Sequence, residues 1–205
     1  MLIIGLTGSI GMGKSTAAAY LRGRGVPVFD ADAEVHRLYA GGKVVERIEL
    51  AFPGTTTPAG VDRARLSAAL VAHPQRLREL EAIVHPLVRE AERTFLRSEA
   101  RRGTPIAVLE IPLLLEVGAD KLVDAVVVMT APAEVQRERL LRREGMTPAK
   151  LEGLVARQMP DAEKRARADF IVDTGNGIEA SQVRLDSILA ELPTWSGHAY
   201  AREWA

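Results

Sequence analysis

The first sixteen residues contain the strongest chemical pattern in the sequence. From Gly8 to Ser15 the chain reads GSIGMGKS, which fits the pattern of glycine, four residues, glycine, lysine, and serine or threonine. An apolar stretch, Leu2–Leu6, precedes this segment, and a helix-compatible stretch, Thr16–Arg22, follows it. A strand, a glycine loop and a helix are the context that a phosphate-binding loop requires. The sequence therefore predicts nucleotide-phosphate binding here.

The residue types in this loop suit a polyphosphate. Glycines at positions 8, 11 and 13 let the backbone curl so that successive N–H groups face an anion at the positive end of a helix. Lys14 adds a mobile cation for the β and γ phosphates, and the Ser15 hydroxyl is placed to bind Mg²⁺. The alternative is a glycine-rich turn that only joins a strand to a helix, and the matching flanks argue against it.

Two carboxylates, Asp30 and Asp32, follow the next predicted strand, Val26–Phe29. Open α/β sheets bind their ligands at the carboxyl ends of strands. A carboxylate in that position either caps the next helix or orients a hydroxyl and accepts its proton during phosphoryl transfer. Because the two are paired one strand away from the glycine loop, we expect a chemical role for at least one of them.

Three further residues have both a structural and a functional interpretation. Glu110, near the end of a third strand, either supports Mg²⁺ through water or serves as a structural carboxylate. His85 is either a hydrogen-bonded, partly buried histidine or a substrate contact. Arg63, with Arg65 and Arg89, forms either a solvated face or a set of hooks for phosphate groups.

An arginine-rich segment follows the fourth predicted strand, Ala125–Thr130. Arg139 and Arg143 are four residues apart and so share one face of a helix, whereas Glu138 and Arg142 can form a routine surface pair. Five arginines between 137 and 157 indicate a closing lid. Such a lid brings guanidinium groups to the transferring phosphate and excludes water.

The apolar pattern predicts the elements that position these residues. Helices separate five short strands, which indicates an α/β protein. The strands are Leu2–Leu6, Val26–Phe29, Ile106–Ile111, Ala125–Thr130 and Phe170–Val172. Between the second and third strands the chain turns helical for longer than a crossover needs, which predicts a substrate-gripping insertion. Within it, Pro86 is expected to kink a helix or start a new one, and after the third strand Leu113–Glu116 is expected to begin a short helix.

Composition excludes several classes of protein. The 205 residues, 47% hydrophobic and 26% charged, suit one soluble domain. Equal numbers of basic and acidic residues, 27 each, argue against nucleic acid as the main partner. The absence of cysteine excludes disulfides, thiolate metal sites and cysteine catalysis. No apolar stretch is long enough for a membrane span, and the first one leads into the glycine loop, so we expect a cytoplasmic protein.

Beyond the glycine loop, an ordered set of motifs resembles the dephospho-CoA kinase family along nearly the whole chain, up to about Leu192. The matching segments are GLTGSIGMGKST, FDAD at 29–32, VDRARL at 61–66, VHP at 84–86, LEIPLLLE at 109–116, the stretch Gln136–Arg143, RQM, and EKRARAD. The chain departs from the family in having Thr174-Gly175-Asn176 where an Asn-X-Gly is usual, and Ala72 where an aromatic residue is common.

This resemblance implies a fold and a reaction. The fold is the three-layer P-loop kinase fold with a five-stranded parallel sheet, in a single domain over residues 1–205. A helical substrate-binding insertion covers about 33–104 and a lid about 132–168. The reaction is phosphorylation by ATP, with Mg²⁺, of the ribose 3′-hydroxyl of dephospho-CoA, the last step of coenzyme A synthesis.

The resemblance also implies residue roles. Gly11, Met12, Gly13, Lys14, Ser15 and Thr16 bind ATP, with Ser15 as the metal ligand. Asp32 orients or deprotonates the 3′-hydroxyl. Arg139 and Arg143 contact phosphate from the lid, and Lys14 and Arg139 act in catalysis. His85, Glu110 and Arg63 neighbour the acceptor substrate.

Two other functions remain as alternatives. A nucleoside monophosphate kinase or shikimate-type kinase would keep Lys14 and the lid arginines but would not need the long insertion with His85. A nucleotide-dependent switch is disfavoured because a guanine-reading Asn-Lys-X-Asp is absent. We expect small-molecule partners only, with no nucleic acid or membrane, in a monomer or weak homo-oligomer.

Overall fold

The computed structural model describes all residues from Met1 to Ala205, and its internal contacts divide the chain into two compact units. The sheet unit consists of Met1–Phe29 and Phe95–Ala205, and the helical unit consists of Asp30–Thr94. The helical unit corresponds to most of the insertion that the sequence predicts.

The central sheet contains five strands, as the sequence predicts. Seven strands occur in chain order, namely β1 (Leu2–Thr7), β2 (Val28–Asp30), β3 (Thr56–Thr57), β4 (Gly60–Val61), β5 (Ile106–Glu110), β6 (Ala125–Thr130) and β7 (Phe170–Asp173). The five-stranded sheet has the order β2-β5-β1-β6-β7, and β1 pairs in parallel with both of its neighbours, as β6 does with β7. Every residue of β1 is buried, as a central parallel strand requires.

Nine α-helices connect or flank these strands. They are α1 (Lys14–Gly23), α2 (Ala31–Tyr39), α3 (Lys43–Ala51), α4 (Arg63–Ala72), α5 (Leu77–Arg101), α6 (Ala133–Leu141), α7 (Pro148–Val155), α8 (Asp161–Ala166) and α9 (Ile178–Glu191). Alternate residues of β1 face opposite sides of the sheet. Ile4 packs with Leu21 of α1 and Leu185 of α9, whereas Ile3 packs in a second cluster with Leu96 of α5. The sheet unit is therefore covered on both faces, which makes three layers.

The helical unit has an apolar core of its own. Its buried members are Val44, Ile48, Phe52, Leu66, Leu80 and Val84. The stretch 53–60, which the sequence predicts as a loop, contains most of a small antiparallel hairpin in which Thr56 pairs with Val61. Strands of two residues carry too little apolar pattern to be recognised. Gly60 is required because a Cβ there would lie 2.2 Å from the carbonyl oxygen of Tyr39.

Of the two alternatives for Pro86, the start of a new helix is ruled out, since α5 runs from Leu77 to Arg101 with the proline inside it. Two local expectations were wrong. The stretch Leu113–Glu116 forms turns instead of a helix, because Leu114 and Leu115 are both buried against the sheet unit's core. Helix α6 ends at Leu141, so Arg143 lies beyond it and does not share a helical face with Arg139.

The C-terminal segment, which has no interpretable sequence pattern, is packed against the sheet unit. The indole of Trp204 is buried and its Nε1 donates to the carbonyl of Leu122 at 2.8 Å. The backbone N–H groups of His198 and Ala199 both donate to Asp124 Oδ1 at 2.7 Å. No helix combines the length and the apolar character that crossing a bilayer demands.

Candidate active site

The glycine loop adopts a backbone that only glycine tolerates at several positions. Gly8, Gly11 and Gly13 all have positive φ angles, of 146°, 80° and 84°. A Cβ at Gly8 would lie 2.3 Å from the carbonyl oxygen of Met129, and one at Gly11 would lie 2.9 Å from Leu140 Cγ. Conformation and close packing thus both exclude side chains here.

The loop leads directly into the N-terminus of α1. Gly13 occupies the cap position, and neither a capping side chain nor an acidic residue stands in the first turn. The first N–H groups of a helix have no intrahelical partners and lie at the positive end of its dipole. Ser15 and Thr16 are exposed at this end. The arrangement suits an anion with several oxygen atoms.

The Lys14 ammonium lies over the loop that precedes it. Its Nζ donates to the carbonyl oxygens of Gly8, at 2.6 Å, and Ser9, at 3.2 Å. The cation is therefore held beside the same backbone that forms the glycine loop.

Glu110 stands at the end of β5, next to the strand that carries the loop. Its register partner in β1 is Leu6, two residues before Gly8, and it is only 4% exposed. The hydroxyl of Thr7 donates to the carbonyl of Pro112 at 3.0 Å, which ties the segment after β5 to the end of β1. This places one buried carboxylate beside the start of the loop.

The oxygen donors at the glycine loop fit magnesium. They do not fit a metal that needs three or more protein side chains as ligands. No group of three or more histidine, aspartate or glutamate side chains could hold an ion. A cation at the loop would therefore take most of its ligands from phosphate oxygens and water, with Ser15 supplying a hydroxyl. Mg²⁺ accepts oxygen ligands of this kind and retains several waters.

Arg139 of α6 reaches the loop through Thr174. Its Nη1 donates to the Thr174 hydroxyl at 2.8 Å, and its Nη2 donates to the Thr174 carbonyl at 2.7 Å. The same hydroxyl lies 3.4 Å from the carbonyl of Met12, and a Cβ on Gly13 would lie 3.3 Å from Thr174 Cγ2. The sequence marked Thr174 only as a departure from a motif and did not predict it as the partner of Arg139.

Arg143 is not brought to the loop. It is exposed in the turn after α6, where its backbone N–H donates to the carbonyl of Leu140 at 3.0 Å and its carbonyl accepts from the N–H of Met146 at 3.1 Å. Two residues that the sequence did not single out, Gln136 and Gln158, do contact the loop, at Ile10. No sequence signal marks either residue, since the burial of Gln136 on α6 is seen only in the structure.

In the helical unit the paired carboxylates have different environments. Asp30 is the N-cap of α2, and its Oδ1 accepts from the backbone N–H of Ala33 at 2.9 Å. Asp32 is exposed in the first turn of the same helix. The capping role that sequence alone could assign to either carboxylate therefore belongs to Asp30.

Arg63 and His85 are both exposed residues of the helical unit. Arg63 is the first residue of α4, which Asp62 caps by accepting from the N–H groups of Ala64 and Arg65. Burial raises the pKa of the Tyr39 hydroxyl, and the positive charge of Arg63 opposes that rise. His85 follows the buried Val84 on α5, so it lies at the edge of that helix's packed face.

Glu92, also on α5, is a carboxyl group whose pKa is shifted strongly by burial. It is 3% exposed, and burial raises its pKa to about 7, although Arg89 Nη1, at 3.1 Å from Glu92 Oε2, acts in the opposite direction.

Comparison with known proteins identifies the family. The sequence profile of dephospho-CoA kinase matches residues 2–180. The chain belongs to the dephospho-CoA kinase family. It is 55% identical to a dephospho-CoA kinase of Rhodopseudomonas palustris over 189 residues, which cover 92% of this chain and 94% of the relative. A dephospho-CoA kinase of Mesorhizobium japonicum is 53% identical over 94% of this chain and 97% of its own.

Solved structures agree with this dephospho-CoA kinase family assignment at the level of the fold. The crystal structure of TT1252 from Thermus thermophilus superposes with a TM-score of 0.80 and 38% identity, covering 93% of this chain and 97% of the other. The family's enzymes are transferases that bind nucleotide and catalyse the final step of coenzyme A biosynthesis. The family, the fold class and the enzyme class that the sequence predicts are thus confirmed.

Proposed function

We propose that this chain transfers the γ-phosphoryl group of ATP to the ribose 3′-hydroxyl of dephospho-CoA, forming ADP and coenzyme A. The observation that carries the proposal is the uncapped N-terminus of α1, with its left-handed glycines and Lys14, in a member of the dephospho-CoA kinase family. Such a loop has little covalent chemistry to perform, so positioning and charge neutralisation supply most of the rate.

The phosphates of ATP are the ligands that we assign to Gly11–Thr16. Backbone N–H groups of the loop and of the first turn of α1 donate to phosphate oxygens. Lys14 is placed to exchange the carbonyls of Gly8 and Ser9 for the β and γ phosphates. Because an ammonium satisfies a phosphate oxygen better than a neutral carbonyl does, nucleotide binding favours that exchange.

Arg139 is the guanidinium that we assign to the transferring phosphoryl group. Its support is the pair of hydrogen bonds to Thr174, which hold it beside Met12 and Gly13. A guanidinium stabilises the charge on the equatorial oxygens in the transition state. Residues 132–168 act as the lid that carries it, and Arg143, which is exposed in the turn after α6, becomes a second lid contact to the nucleotide only when the lid closes.

Asp32 is the residue that we assign to the acceptor hydroxyl. Asp30 caps α2, and Asp32 lies at an exposed position in the first turn of the same helix. A carboxylate there orients the 3′-hydroxyl and accepts its proton as the oxygen attacks the γ-phosphorus and the bond to ADP breaks.

Mg²⁺ is the metal that the donor set supports. When bound, it neutralises charge on the β and γ phosphates. Ser15 would supply a direct oxygen ligand, and Glu110 would support the ion through water and neighbour the acceptor substrate.

The helical unit supplies the proposed acceptor-binding residues. His85 and Arg63 are exposed there, and Arg63 carries the charge that a phosphate group of the acceptor requires. We assign residues 33–104 to this role within a single kinase domain. We further propose that the enzyme acts in the cytoplasm, where ATP is available, as a monomer or weak homo-oligomer.

An acceptor comparison tests the proposal. ADP formation is measured with dephospho-CoA, shikimate, a nucleoside monophosphate and no acceptor, and the product is examined by ³¹P NMR for a ribose 3′-phosphate. We expect ADP formation above background with dephospho-CoA alone. ADP formation with another acceptor and not with dephospho-CoA would refute the assignment, and a lack of single-turnover transfer with every acceptor would indicate a nucleotide binder.

A further inference from the structure

Ile10 lies within the glycine loop, and side chains from distant parts of the sheet unit bind both of its backbone polar groups. Its N–H donates to Gln158 Oε1 at 2.9 Å, across 148 residues of sequence. Its carbonyl accepts from Gln136 Nε2 at 2.8 Å, across 126 residues. The loop is therefore held at one residue from two directions.

These two contacts set the orientation of two successive peptide groups. In a trans peptide the N–H and the C=O point in opposite directions. Gln158 fixes the Ser9–Ile10 peptide so that the Ser9 carbonyl points away from it, and that carbonyl accepts from Lys14 Nζ at 3.2 Å and from the N–H of Met12 at 3.2 Å. Gln136 fixes the next peptide in the same way, so the N–H of Gly11 points away from Gln136.

A buried ion pair anchors the segment that carries Gln158. The neighbouring N–H, of Met159, donates to Glu116 Oε1 at 3.0 Å, and the same oxygen lies 2.6 Å from Lys164 Nζ. Lys164 is 0% exposed. Asp161 Oδ2 accepts from the hydroxyl of Thr130, the last residue of β6, at 2.7 Å. The Lys164 ammonium is out of contact with solvent, so its charge would be left unsolvated if Glu116 moved away. This pair therefore keeps the segment in one place.

We propose that Gln136 and Gln158 are positioning residues for phosphoryl transfer, which clamp Ile10 so that the Gly11 N–H is preset for phosphate and the Ser9 carbonyl holds Lys14 beside the loop until nucleotide binds. The Lys164–Glu116 pair holds Gln158 in place. The inference rests on the proposed function, since it takes the glycine loop to be the phosphate site.

Amide hydrogen exchange in the unmodified protein gives the first test. The Ile10 N–H is expected to be protected without nucleotide and to change little when ADP and Mg²⁺ are added. The N–H groups of Gly11, Gly13 and Lys14 are expected to gain protection on the same addition. An Ile10 N–H that exchanges freely without nucleotide, or that gains as much protection as its neighbours, would overturn the clamp.

Isosteric variants give the second test. Gln158→Met and Gln136→Met keep the side-chain length and remove the hydrogen bond. Each is expected to lower kcat/KM for ATP roughly 3- to 10-fold, as the loss of one net hydrogen bond implies, with KM for dephospho-CoA unchanged. Gln182→Met is the matched control, since Gln182 is a half-buried residue of α9 in the same unit, and it should retain the wild-type value. An unchanged kcat/KM for ATP, or a rise in KM for dephospho-CoA that matches the loss for ATP, contradicts a positioning role.

Exchange of donor for acceptor separates positioning from simple packing. Glutamate retains the acceptor that Gln158 presents to the Ile10 N–H but loses the donor that Gln136 presents to the Ile10 carbonyl. Both changes add one negative charge near the same residue. Gln136→Glu should therefore weaken ADP binding several-fold more than Gln158→Glu does. Equal losses, or the reverse order, would show that hydrogen-bond polarity at Ile10 is irrelevant.

The ADP readouts make the two proposals separable. ADP binding and amide protection need no acceptor, so they test the clamp even if dephospho-CoA proves to be the wrong substrate. A wild-type enzyme that fails in the acceptor comparison but shows the expected protection pattern refutes the proposed acceptor alone.

Discussion

The glycine loop and the helical unit are held in shape by different kinds of contact. In the loop, Ile10 is bound by Gln136 and Gln158, both more than a hundred residues away in sequence. In the helical unit, carboxylates bind backbone N–H groups of their own neighbourhood. Asp30 binds Ala33, and Glu49 accepts from the N–H groups of Gly54 and Thr56.

The local contacts in the helical unit are strong enough to shift the pKa of a carboxyl group, that of Glu49. The N–H of Gly54 and the hydroxyl and N–H of Thr56 donate to the Glu49 carboxylate and lower its pKa. A contact between residues only five to seven positions apart can form as soon as the chain between them folds. The contacts at Ile10 exist only when the whole sheet unit is assembled. The comparison teaches that the glycine loop depends on the complete sheet unit, while the helical unit is shaped largely by its own sequence.

The largest expected effect comes from a variant that removes a chemical group and leaves both kinds of contact intact. Lys14→Ala removes the ammonium but leaves Gln136, Gln158 and the helical unit intact. Turnover should fall about 10³-fold, the scale seen when one transition-state charge stabiliser is removed, while the free energy of unfolding stays near the wild-type value. Steady-state ADP formation and urea unfolding measure the two quantities. A variant that loses stability in proportion to activity would show that the lysine is mainly a structural tie to Gly8 and Ser9.

The next largest effect is expected from a variant that breaks a long-range contact of the sheet unit, the Lys164–Glu116 pair. Lys164→Met leaves the Glu116 carboxylate, whose side chain is 17% exposed, without its counter-charge, which should lower the free energy of unfolding by about 3 kcal/mol. Arg37→Met is the control, because its i,i+3 ion pair with Glu34 is local and 68% exposed on the arginine side; it should change stability by less than about 0.5 kcal/mol. Urea unfolding of the three proteins decides the matter, and similar losses in both variants would erase the distinction.

The paired carboxylates sharpen the comparison within the helical unit. Asp32→Asn should lower turnover about 10²-fold, the range of general-base contributions, with ATP binding preserved. Asp30→Asn keeps a side chain that caps helices equally well, so its turnover and stability should stay close to wild type. Kinetics and nucleotide titration distinguish the roles, and comparable losses of turnover and ATP affinity in Asp32→Asn would count against its assignment.

The smallest expected effect concerns the local ion pair of Arg89 and Glu92, in which burial raises the pKa of Glu92 more than Arg89 lowers it. The pKa of Glu92 is raised to about 7 in the fold, so its neutral form is favoured there. This contribution to stability is complete below the ordinary carboxyl pKa and is lost as pH rises through 7. Between pH 5 and pH 8 the wild type should lose on the order of 2 kcal/mol more than Glu92→Gln does.

The exposed Glu90 provides the control for that experiment, since it forms an i,i+3 surface pair with Arg93. Glu90→Gln should keep the wild-type dependence of unfolding free energy on pH. Parallel profiles for the wild type and Glu92→Gln would mean that Arg89 compensates the buried carboxylate fully.

Elements with strong local signals were predicted closely. Strand β6 occupies the predicted residues Ala125–Thr130. Strand β2 starts two residues later than predicted and includes Asp30, because pairing with β5, and not composition, sets its limits. The turns at Leu113–Glu116 escaped prediction because burial of two adjacent leucines overrides helix propensity there.

Within the site, the sequence identified residues whose role depends on type and spacing. The glycines, Lys14 and Ser15 follow from the loop pattern alone. Gln136, Gln158 and Thr174 could not be found in that way, because a glutamine or threonine has no characteristic spacing to the backbone group that it binds. The sequence treated Arg139 and Arg143 alike, and only the end of α6 at Leu141 separates them.

By itself, the sequence determined the strand, glycine loop and helix that form an anion site, the order of the strands along the chain, and the family. The first depends on residues close together in the chain, and the other two depend on short local patterns taken in their order along it. The tertiary structure alone decided which way the peptides of that loop face, which arginine approaches it, and how Trp204 closes the sheet unit's core. The physical reason is that hydrogen bonds and packing across more than a hundred residues exist only after parallel strand pairing has brought those residues together.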